Sequence, residues 1–517
     1  MTAPLPTFVI AAALFITAYL YVRRRRESGK LFPPGPSGLP IIGNLFDVPV
    51  DFQWLKYSEW SKKFGSDIVH LDVGGMPVVV LHSSEACYDL LERRSSEYSS
   101  RADTPMLDLM GWEFQITSMK YGPRWREHRR AFHSFFNVDT VRHFRPRQQR
   151  ATHTFLRRML DASSSDLRKE LRFMVASTIM DITYGIDALP ENDPYTQVAD
   201  RAFNAGAIAA VPNSYLVNIF PILLHLPEWM PGTGFKKHAR KWRPVTEEMV
   251  NAPFEETMRR MASDSARSSF VSLSLEKTRA KNDLAQEEIV KNTAAIMYIG
   301  AMDTTVATLL SFTLHMLENP EIAMRARLEL DSVLEPGRLP EFDDEERLPY
   351  TTAVVKETLR MYPAAPVAVP HQHTGETDDV YRGFTIPRGS VVIPNVWAMA
   401  HDEMAYPEPY IYKPERFLTV DGKLNPAIRD PTSFVFGFER RVCPGKHMAL
   451  ASIWLTIAST LRVYTIEKAK RSDGTTIEPK REYKSSTLQS PEAFECNFVP
   501  RSEAAVRMIR ESMDQIL

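Results

Sequence analysis

Apolar residues recur at helical spacing over most of the chain, and the longest such stretch covers residues 286–319. That stretch contains no proline, and Pro320 directly after it would end a helix. A helix of this length would extend roughly 50 Å, enough to cross an entire domain. The pattern therefore predicts a long central helix in a mainly α-helical protein.

Two stretches alternate between apolar and other residues, as half-buried strands do. Residues 68–73 and 76–82 lie on either side of Gly74-Gly75, which predicts a β-hairpin. A second hairpin pattern covers residues 380–386 and 390–394. We therefore expect a mainly α fold with a small β region.

Residues 1–22 carry no charged side chain, and residues 8–22 are almost wholly apolar. The run is short for a membrane-spanning helix, which needs roughly 17–25 residues, but counted from Leu5 it reaches 18. Arg23-Arg24-Arg25-Arg26 follows it, whereas a cleaved signal peptide carries its charge before the apolar run. These features predict one transmembrane helix, with everything after it in the cytosol. The alternative is a buried core helix, although four consecutive arginines would be awkward to pack there.

A proline-rich stretch follows the arginines, and its prolines are Pro33, Pro34, Pro36 and Pro40. Prolines fix φ and lack an N–H donor, so this stretch should be a stiff, extended connector. The 517 residues would suggest about three domains, but no linker or internal repeat divides the chain after residue 45. We therefore divide it into a transmembrane anchor (1–22), a basic and proline-rich hinge (23–44) and one large domain (45–517).

Charge and cysteine content exclude several classes of protein. A net charge of −1 provides no global basic field for binding nucleic acid. The three cysteines, Cys87, Cys443 and Cys496, are widely spaced and form no CxxC pair, which argues against a disulfide framework or a structural zinc site. A reducing, cytosol-facing environment fits this usage.

One cysteine lies in a loop that has the chemistry of a metal site, Phe436-Gly437-Phe438-Glu439-Arg440-Arg441-Val442-Cys443-Pro444-Gly445-Lys446. A thiolate is a strong ligand for haem iron, provided that it is kept deprotonated. Pro444 suits the first position of the helix that should follow, so the helix dipole would favour a thiolate at Cys443. The glycines let a flat macrocycle approach closely, and Arg441 could reach an anionic propionate. The alternative is an inert, buried cysteine.

This loop resembles the haem-binding loop of the cytochromes P-450, which are haem-thiolate monooxygenases. The resemblance implies heme b (iron protoporphyrin IX) as the cofactor. The residues that it assigns to the cofactor are the metal ligand Cys443 together with Phe436, Arg441 and Gly445. The family usually has glycine where this chain has Glu439, whose carboxylate would either pair with Arg440 on the electron-entry face or face solvent.

Residues 121–130 should open a helix, with Pro123 near its first turn. Trp125 and Arg129 are four residues apart and share a face, so both could donate to one carboxylate. By resemblance they bind the haem propionates, and the alternative is a basic amphipathic helix on the surface. The other face carries arginines that could dock an acidic electron-donor protein, Arg124, Arg126 and Arg130.

The middle of the long helix reads Gly300-Ala301-Met302-Asp303-Thr304-Thr305. The small Ala301 leaves room for a ligand, and burying Asp303 and Thr304 without a role would be costly. A hydroxyl in mid-helix can also divert a backbone carbonyl and open a local water site. The segment resembles the family's oxygen-activation motif, which implies that Asp303 and Thr304 are catalytic and that Ala301 lies against the cofactor. The alternative is threonine merely tolerated in a helix.

Other residues gain meaning only from the resemblance. Glu357 and Arg360 face each other on a predicted helix, and Arg416 would complete a buried network that braces the loop beneath the haem. His371 would be a further propionate donor or else a structural histidine. A roof segment (residues 101–116) would cover the substrate pocket and a lid segment (residues 201–231) would be mobile, with ordinary core packing as the alternative for both.

Motifs from residue 33 to residue 446 follow the family's order and look most like its fungal microsomal branch, which includes oxidases of terpenoid and indole natural-product pathways. The resemblance implies a monooxygenase that inserts one oxygen atom from O₂ into a lipophilic or aromatic small molecule. It also implies a single-pass protein of the endoplasmic reticulum membrane whose catalytic domain faces the cytosol.

The chain contains no Gly-rich nucleotide fingerprint after a strand, so electrons from NADPH must arrive through a separate protein. By resemblance that protein is the membrane-bound NADPH–cytochrome P-450 reductase, with cytochrome b5 as a further candidate partner. One alternative is a haem-thiolate isomerase or dehydratase that uses no O₂, although such relatives often lack the Asp–Thr pair. Another is a non-enzymatic haem protein.

Overall fold

The computed structural model describes residues 29–512, except for 212–213, 280–282 and 486–487. The predicted transmembrane helix and the four arginines after it lie outside the described residues. Residues 30–38 of the hinge have no regular secondary structure, as the prolines predict, whereas residues 39–44 form a turn in which Leu39 pairs with Gly43. The His70 N–H donates to the Pro34 carbonyl at 3.0 Å, and the Phe32 and His70 rings stack at 5.0 Å. The hinge is therefore held against the first strand of the main sheet.

Helices form most of the described chain, as the apolar periodicity predicts. The α-helices are α1 (Gln53–Phe64), α2 (Ser84–Cys87), α3 (Ser95–Tyr98), α4 (Pro105–Leu109), α5 (Pro123–Phe136), α6 (Val138–Val141), α7 (Arg145–Arg158), α8 (Leu167–Tyr184), α9 (Pro194–Ala210), α10 (Leu216–Ile219), α11 (Gly234–Ala262), α12 (Phe270–Arg279), α13 (Leu284–Glu318), α14 (Pro320–Val333), α15 (Pro349–Met361), α16 (Val396–Ala400), α17 (Lys446–Val463) and α18 (Glu503–Glu511).

The β region is small and consists of four sheets within the described residues. The strands are β1 (Ile68–Val73), β2 (Met76–Leu81), β3 (His371–Gln372), β4 (Asp379–Tyr381), β5 (Phe384–Ile386), β6 (Val391–Pro394), β7 (Tyr464–Lys468), β8 (Tyr483–Ser485), β9 (Gln489–Pro491) and β10 (Cys496–Pro500). The main sheet has the order β1-β2-β6-β3, and the pairs β10-β7, β4-β5 and β8-β9 form the others.

The first predicted hairpin is confirmed, and the second is wrong. Strands β1 and β2 pair antiparallel across the Gly74-Gly75 turn, with Val73 opposite Met76. Strand β6 does not pair with residues 380–386 but runs parallel to β2, because all four of its side chains are buried and suit the interior of the main sheet. Strands β4 and β5 form their own hairpin, whose turn residues Arg382 and Gly383 have φ values of 50° and 83°, as a tight two-residue turn requires.

The long helix is confirmed as α13, which has 35 residues. The Asp283 side chain caps its start by accepting the Gln286 N–H at 3.1 Å, and Pro320 opens the next helix. Helix α13 packs against α5, α8 and α17, which brings the middle of the helix near the Cys443 loop. Among the described helices it alone is long and apolar enough to span a membrane, but 78% of that apolar window is buried inside the protein.

Candidate functional site

The Cys443 loop is closed by a hydrogen bond from the Cys443 N–H to the Phe436 carbonyl at 2.7 Å. Gly437 has a φ of 81°, and a Cβ there would lie 3.3 Å from the Arg441 carbonyl oxygen, so the bend suits glycine. Helix α17 begins at Lys446, two residues later than Pro444 suggested, and Gly445 is its N-cap. The predicted loop is thus present, with a later helix start.

Cys443 differs from the other two cysteines in its surroundings. Cys87 and Cys496 are buried, whereas Cys443 is exposed to solvent. Surrounding protein atoms raise the pKa of the Cys443 thiol, while the Gly445 backbone N–H and the charges of Arg129 and Lys446 act to lower it. Burial alone raises the pKa of the Cys496 thiol to about 12. Cys443 is therefore the exposed one of the three cysteines, and although its pKa is raised, the neighbouring N–H and cations offset part of that rise.

The structure brings Trp125, Arg129 and Arg441 together, as the sequence predicts. The Arg441 guanidinium lies 4.6 Å from the centroid of the Trp125 ring. Arg129 Nη1 donates to the Val442 carbonyl at 2.7 Å and so joins helix α5 to the Cys443 loop. Burial, together with the Arg129 charge, lowers the pKa of Arg441 to about 10. Two guanidinium groups therefore share one partly desolvated region beside the cysteine.

His371 lies in the same region, and its Nδ1 is 2.7 Å from the Tyr98 carbonyl oxygen. Burial and the charge of Arg101 hold the pKa of His371 well below its usual value, so the imidazole is neutral at pH 7. Whether it contacts a propionate stays a prediction.

Sequence reasoning missed Arg101, the first residue of the roof segment. Its side chain is only 5% exposed and donates to the Thr117, Val369 and Pro370 carbonyls. Burial and the Arg441 charge hold the pKa of Arg101 well below its usual value. A single arginine at the start of an apolar loop follows no spacing rule, so only its burial identifies it.

This cluster of guanidiniums fits an anionic cofactor. Within the described residues, no carboxylate forms an ion pair with Arg101, Arg129 or Arg441, and Arg441 experiences the like charge of Arg129. Arg441 donates to the Ser99, Ile116 and Met119 carbonyls, but neutral carbonyls do not cancel the repulsion between partly buried cations as an anion would. The two propionates of haem are such anions, and Cys443 provides the thiolate that its iron needs. The residues present therefore fit haem.

The middle of α13 carries the predicted polar pair. Thr304 Oγ1 donates to the Gly300 carbonyl at 3.3 Å. Thr308 and Thr313 make the same kind of bond to the carbonyl four residues back, so this bond fits both the catalytic prediction and a threonine merely tolerated in a helix. A Cβ at Gly300 would meet no atom within 4 Å, which confirms open space beside the helix there. Ala301 is partly buried against the main apolar cluster.

Asp303 is held by an arginine that sequence reasoning did not identify. Arg172 of α8 donates to Asp303 Oδ1 at 2.5 Å and also pairs with Asp200 of α9. Burial alone would lower the pKa of Arg172, but the two carboxylates raise it above its usual value. Arg172 thus holds the Asp303 carboxylate to α8 and links it to Asp200 of α9.

The predicted network of Glu357, Arg360 and Arg416 is confirmed. Both carboxylate oxygens of Glu357 accept from Arg360, at 2.7 and 2.9 Å, and one also accepts from Arg416 Nε at 3.1 Å. The side chains of Glu357 and Arg360 are fully buried. Arg416 also donates to the Pro407 carbonyl at 2.7 Å, so the network ties helix α15 to the chain that follows α16.

Glu439 has a φ of 38°, in the left-handed region that favours glycine. The conformation therefore explains why a glycine is expected at this position. Arg440 does not pair with it, because its Nη1 donates to the Tyr121 hydroxyl at 2.7 Å and its guanidinium stacks on that ring. Glu439 is exposed, so the structure supports the alternative in which its carboxylate faces solvent.

Comparison with known proteins agrees with this geometry: the cytochrome P-450 family model matches residues 33–497. The chain belongs to the cytochrome P-450 family. It is 43% identical to cytochrome P-450 monooxygenase 98 of Postia placenta, over 97% of this chain and 96% of the relative. It is also 38% identical to tryptamine 4-monooxygenase of Psilocybe cyanescens, over 98% of this chain and all of the relative. Cytochrome P-450 monooxygenase ple1 of Rhodocybe pseudopiperita is 38% identical, over 98% and 96% of the two chains.

As a cytochrome P-450, the protein is an oxidoreductase that uses heme b, with electrons supplied through a reductase. The residues that would hold the cofactor are Cys443 on the iron and the guanidinium groups around Trp125 on the propionates. Once bound, the haem supplies the redox chemistry that activates O₂. Whether Asp303 and Thr304 hold or pass a proton stays a prediction.

Proposed function

We propose that this cytochrome P-450 hydroxylates a lipophilic or aromatic natural product of the terpenoid or indole type. The observation that carries the proposal is the intact Asp303–Thr304 pair at the middle of α13, with open space beside Gly300. An isomerase or dehydratase would need no such pair. The similarity to a tryptamine 4-monooxygenase supports the indole class of substrate.

The roles of the side chains follow from their contacts. The Cys443 thiolate would ligate the iron, helped by the Gly445 N–H and the charge of Arg129. The Thr304 hydroxyl already donates to the Gly300 carbonyl, so it can hold a water there. Arg172 donates to the Asp303 carboxylate and orients it, and Asp303 would pass protons on from that side of α13.

We also propose that the electron donor is NADPH–cytochrome P-450 reductase, with cytochrome b5 as the second candidate donor. Three arginines of helix α5 support a docking face for an acidic partner, because they are exposed on the side opposite Trp125: Arg124, Arg126 and Arg130. The apolar run and the arginines after it support a single-pass anchor in the endoplasmic reticulum membrane, with the described domain in the cytosol.

The test combines the full-length protein with the reductase and NADPH. Reduced protein with carbon monoxide should show the red-shifted Soret band of a thiolate-ligated haem, and Cys443→Ser should lose it. A spectral binding screen of terpenoid and indole compounds, including tryptamine, should identify ligands that then give hydroxylated products. Substrate turnover without consumption of O₂ or NADPH would instead support the isomerase or dehydratase.

A further inference from the structure

A cavity of about 760 Å³ opens beside the start of α13, away from the haem site. Its walls are the first turns of α13, the middle of α11, the start of α5 and part of the roof segment. Asn292 lines it and lies eleven residues before Asp303, roughly 16 Å away along the axis of α13. The described residues that line this cavity include none of those assigned to the haem or to the proton relay, so it is a separate space.

The orientation of the Asn292 amide follows from its contact with His128. His128 Nδ1 lies 2.8 Å from the Arg124 carbonyl oxygen, which can only accept, so Nδ1 carries the ring proton. Burial lowers the pKa of His128, so the ring is neutral at about pH 7 and its Nε2 is an acceptor. Asn292 Nδ2 lies 3.4 Å from that Nε2 and 3.4 Å from a Glu288 carboxylate oxygen. The amide nitrogen is therefore the atom that faces these two acceptors.

The amide oxygen of Asn292 is left without a donor. Within the described residues no group donates to Asn292 Oδ1, although the residue is only 5% exposed. A buried acceptor that makes no hydrogen bond is costly. Because Asn292 lines the cavity, a donor group bound there would satisfy this oxygen.

Carboxylates outnumber cations on the cavity wall. The carboxylates belong to Glu113, Glu247, Glu287 and Glu288, and the cations are Arg124 and Lys291. Glu247 pairs with Arg243 at 2.8 Å, and Glu288 pairs loosely with Arg124 at 3.9 Å. Glu287 forms no ion pair within the described part of the chain. The remaining wall includes apolar side chains, Phe114, Val250 and Phe254.

We propose that this cavity is a second ligand site, which binds a small organic cation with a primary ammonium group on an aromatic body. The ammonium would donate to Asn292 Oδ1 and be balanced by the Glu287 carboxylate, while the body packs on Phe114 and Phe254. An ammonium has three donors and no acceptor, so it matches a wall that offers an amide oxygen and carboxylates. Binding there leaves the iron and the haem pocket free.

The test uses the full-length haem protein with its iron saturated by 4-phenylimidazole, an azole that coordinates haem iron. An added amine then cannot bind the iron, and the Soret band reports that the azole stays in place. Isothermal titration calorimetry measures three probes that share a phenyl body: 2-phenylethylamine, 2-phenylethanol and 3-phenylpropionate. At about pH 7 these are a cation, a neutral molecule and an anion.

Two variants and one control separate the contributions of the wall. Asn292→Leu removes the buried acceptor and nearly keeps its volume, and Glu287→Gln removes a charge and keeps the shape. Glu255→Gln is the matched control, because Glu255 is exposed on α11 and does not line the cavity.

One molecule of 2-phenylethylamine should bind per chain, about tenfold more tightly than 2-phenylethanol, because only the amine makes charge-assisted hydrogen bonds. Asn292→Leu should weaken amine binding about tenfold, and Glu287→Gln about threefold, since Glu287 is only partly buried. Binding of 2-phenylethanol should change less in both variants. Glu255→Gln should match the unsubstituted protein.

Failure of 2-phenylethylamine to bind the azole-saturated protein would overturn the proposal. Equal affinity for 2-phenylethanol would also overturn it, because the apolar wall alone would then bind, and tighter binding of 3-phenylpropionate would assign the site to anions. An equal loss in Glu255→Gln would show general attraction to a negative surface and reject the site.

If Asn292→Leu fails to bind haem, Glu287→Gln decides with the same three probes. A loss confined to the amine supports the proposal, and unchanged amine affinity rejects it. No hydroxylation enters these measurements, so failure of the proposed function would leave them untouched.

Discussion

At the scale of single residues, the site depends on groups whose burial would be unfavourable without a partner. Arg101 and Arg441 are cations in a region where like charges face each other, and Asp303 and Thr304 are polar groups on an apolar helix. Spacing along the chain identifies most of these residues but cannot identify Arg101 or Arg172. Each has a partner more than a hundred residues away in sequence, Val369 for Arg101 and Asp303 for Arg172, and such contacts depend on the tertiary fold.

The proton relay can be tested at Thr304. Thr304→Ala removes the hydroxyl that donates to the Gly300 carbonyl, so product formed per NADPH should fall about tenfold while NADPH consumption continues. Thr313→Ala is the matched control, because Thr313 makes the same kind of bond, to the Leu309 carbonyl, elsewhere on α13. Product and NADPH are measured together, and tight coupling in Thr304→Ala would exclude the hydroxyl from the relay.

The backbone at Glu439 makes a prediction about stability. Glu439→Gly should raise the free energy of unfolding by about 1 kcal/mol, because a non-glycine residue is strained at a φ of 38°. Denaturant unfolding of the haem protein measures this. Glu403→Gly is the control, since Glu403 is an exposed residue that lies outside the positive-φ region, and glycine there should destabilise slightly.

Glu439→Gly should also change how the free energy of unfolding depends on pH. Burial and the Glu439 charge raise the pKa of Glu92, so ionised Glu92 is less favourable in the folded protein and stability falls as pH rises through the carboxyl range. Glu439→Gly removes the charge that opposes ionised Glu92. The substitution should therefore increase the free energy of unfolding more near about pH 7, where Glu92 is ionised, than near about pH 4. An equal gain at both pH values would leave only the backbone effect.

At the scale of elements, local sequence predicts α13 and the β1–β2 hairpin because residues within each segment mark where it begins, ends or turns. Asp283 caps the start of α13 and Pro320 follows its end, and Gly74-Gly75 forms the hairpin turn. The position of β6 could not be predicted in this way. A short, fully buried strand has no local feature that selects its partner, and its parallel pairing with β2 joins parts of the chain far apart in sequence. The start of α17 was likewise placed two residues early by reading Pro444 alone.

The network of Glu357, Arg360 and Arg416, which joins α15 to the chain after α16, gives a prediction about elements. Glu357→Ala would leave the buried Arg360 and Arg416 guanidiniums without their carboxylate, which should cost about 3–5 kcal/mol and prevent stable haem binding. The yield of the carbon monoxide Soret band measures this. Glu228→Ala breaks the exposed pair with Arg240 and should cost at most about 1 kcal/mol. Normal haem yield in Glu357→Ala would contradict the bracing role.

At the scale of the whole molecule, the family model and the relatives match almost the entire chain. The same match therefore supports the fold, the haem cofactor and the reaction class. What the amino-acid sequence predicted least is the substrate. The roof and lid segments that would surround it come from separate parts of the chain, and their mutual contacts, such as the bond from the Met106 N–H to Asn218, follow no spacing rule.

The predicted anchor gives a test at the level of the whole chain. Deleting residues 1–26 should move the protein from the membrane fraction to the supernatant while keeping the carbon monoxide Soret band, because the described domain contains the haem site. Replacing Arg23 to Arg26 with alanine should keep the protein in the membrane fraction. A smaller share of the molecules should then have the described domain on the cytosolic side. Membrane association that survives the deletion in full would contradict the anchor.

The guanidiniums of Arg101, Arg129 and Arg441 also bear on how the enzyme is made. Backbone carbonyls accept from all three, but no described carboxylate balances their charge, so binding of the two negative charges of haem should add to the folding free energy. The newly synthesised chain would then depend on haem supply to complete its fold and escape degradation.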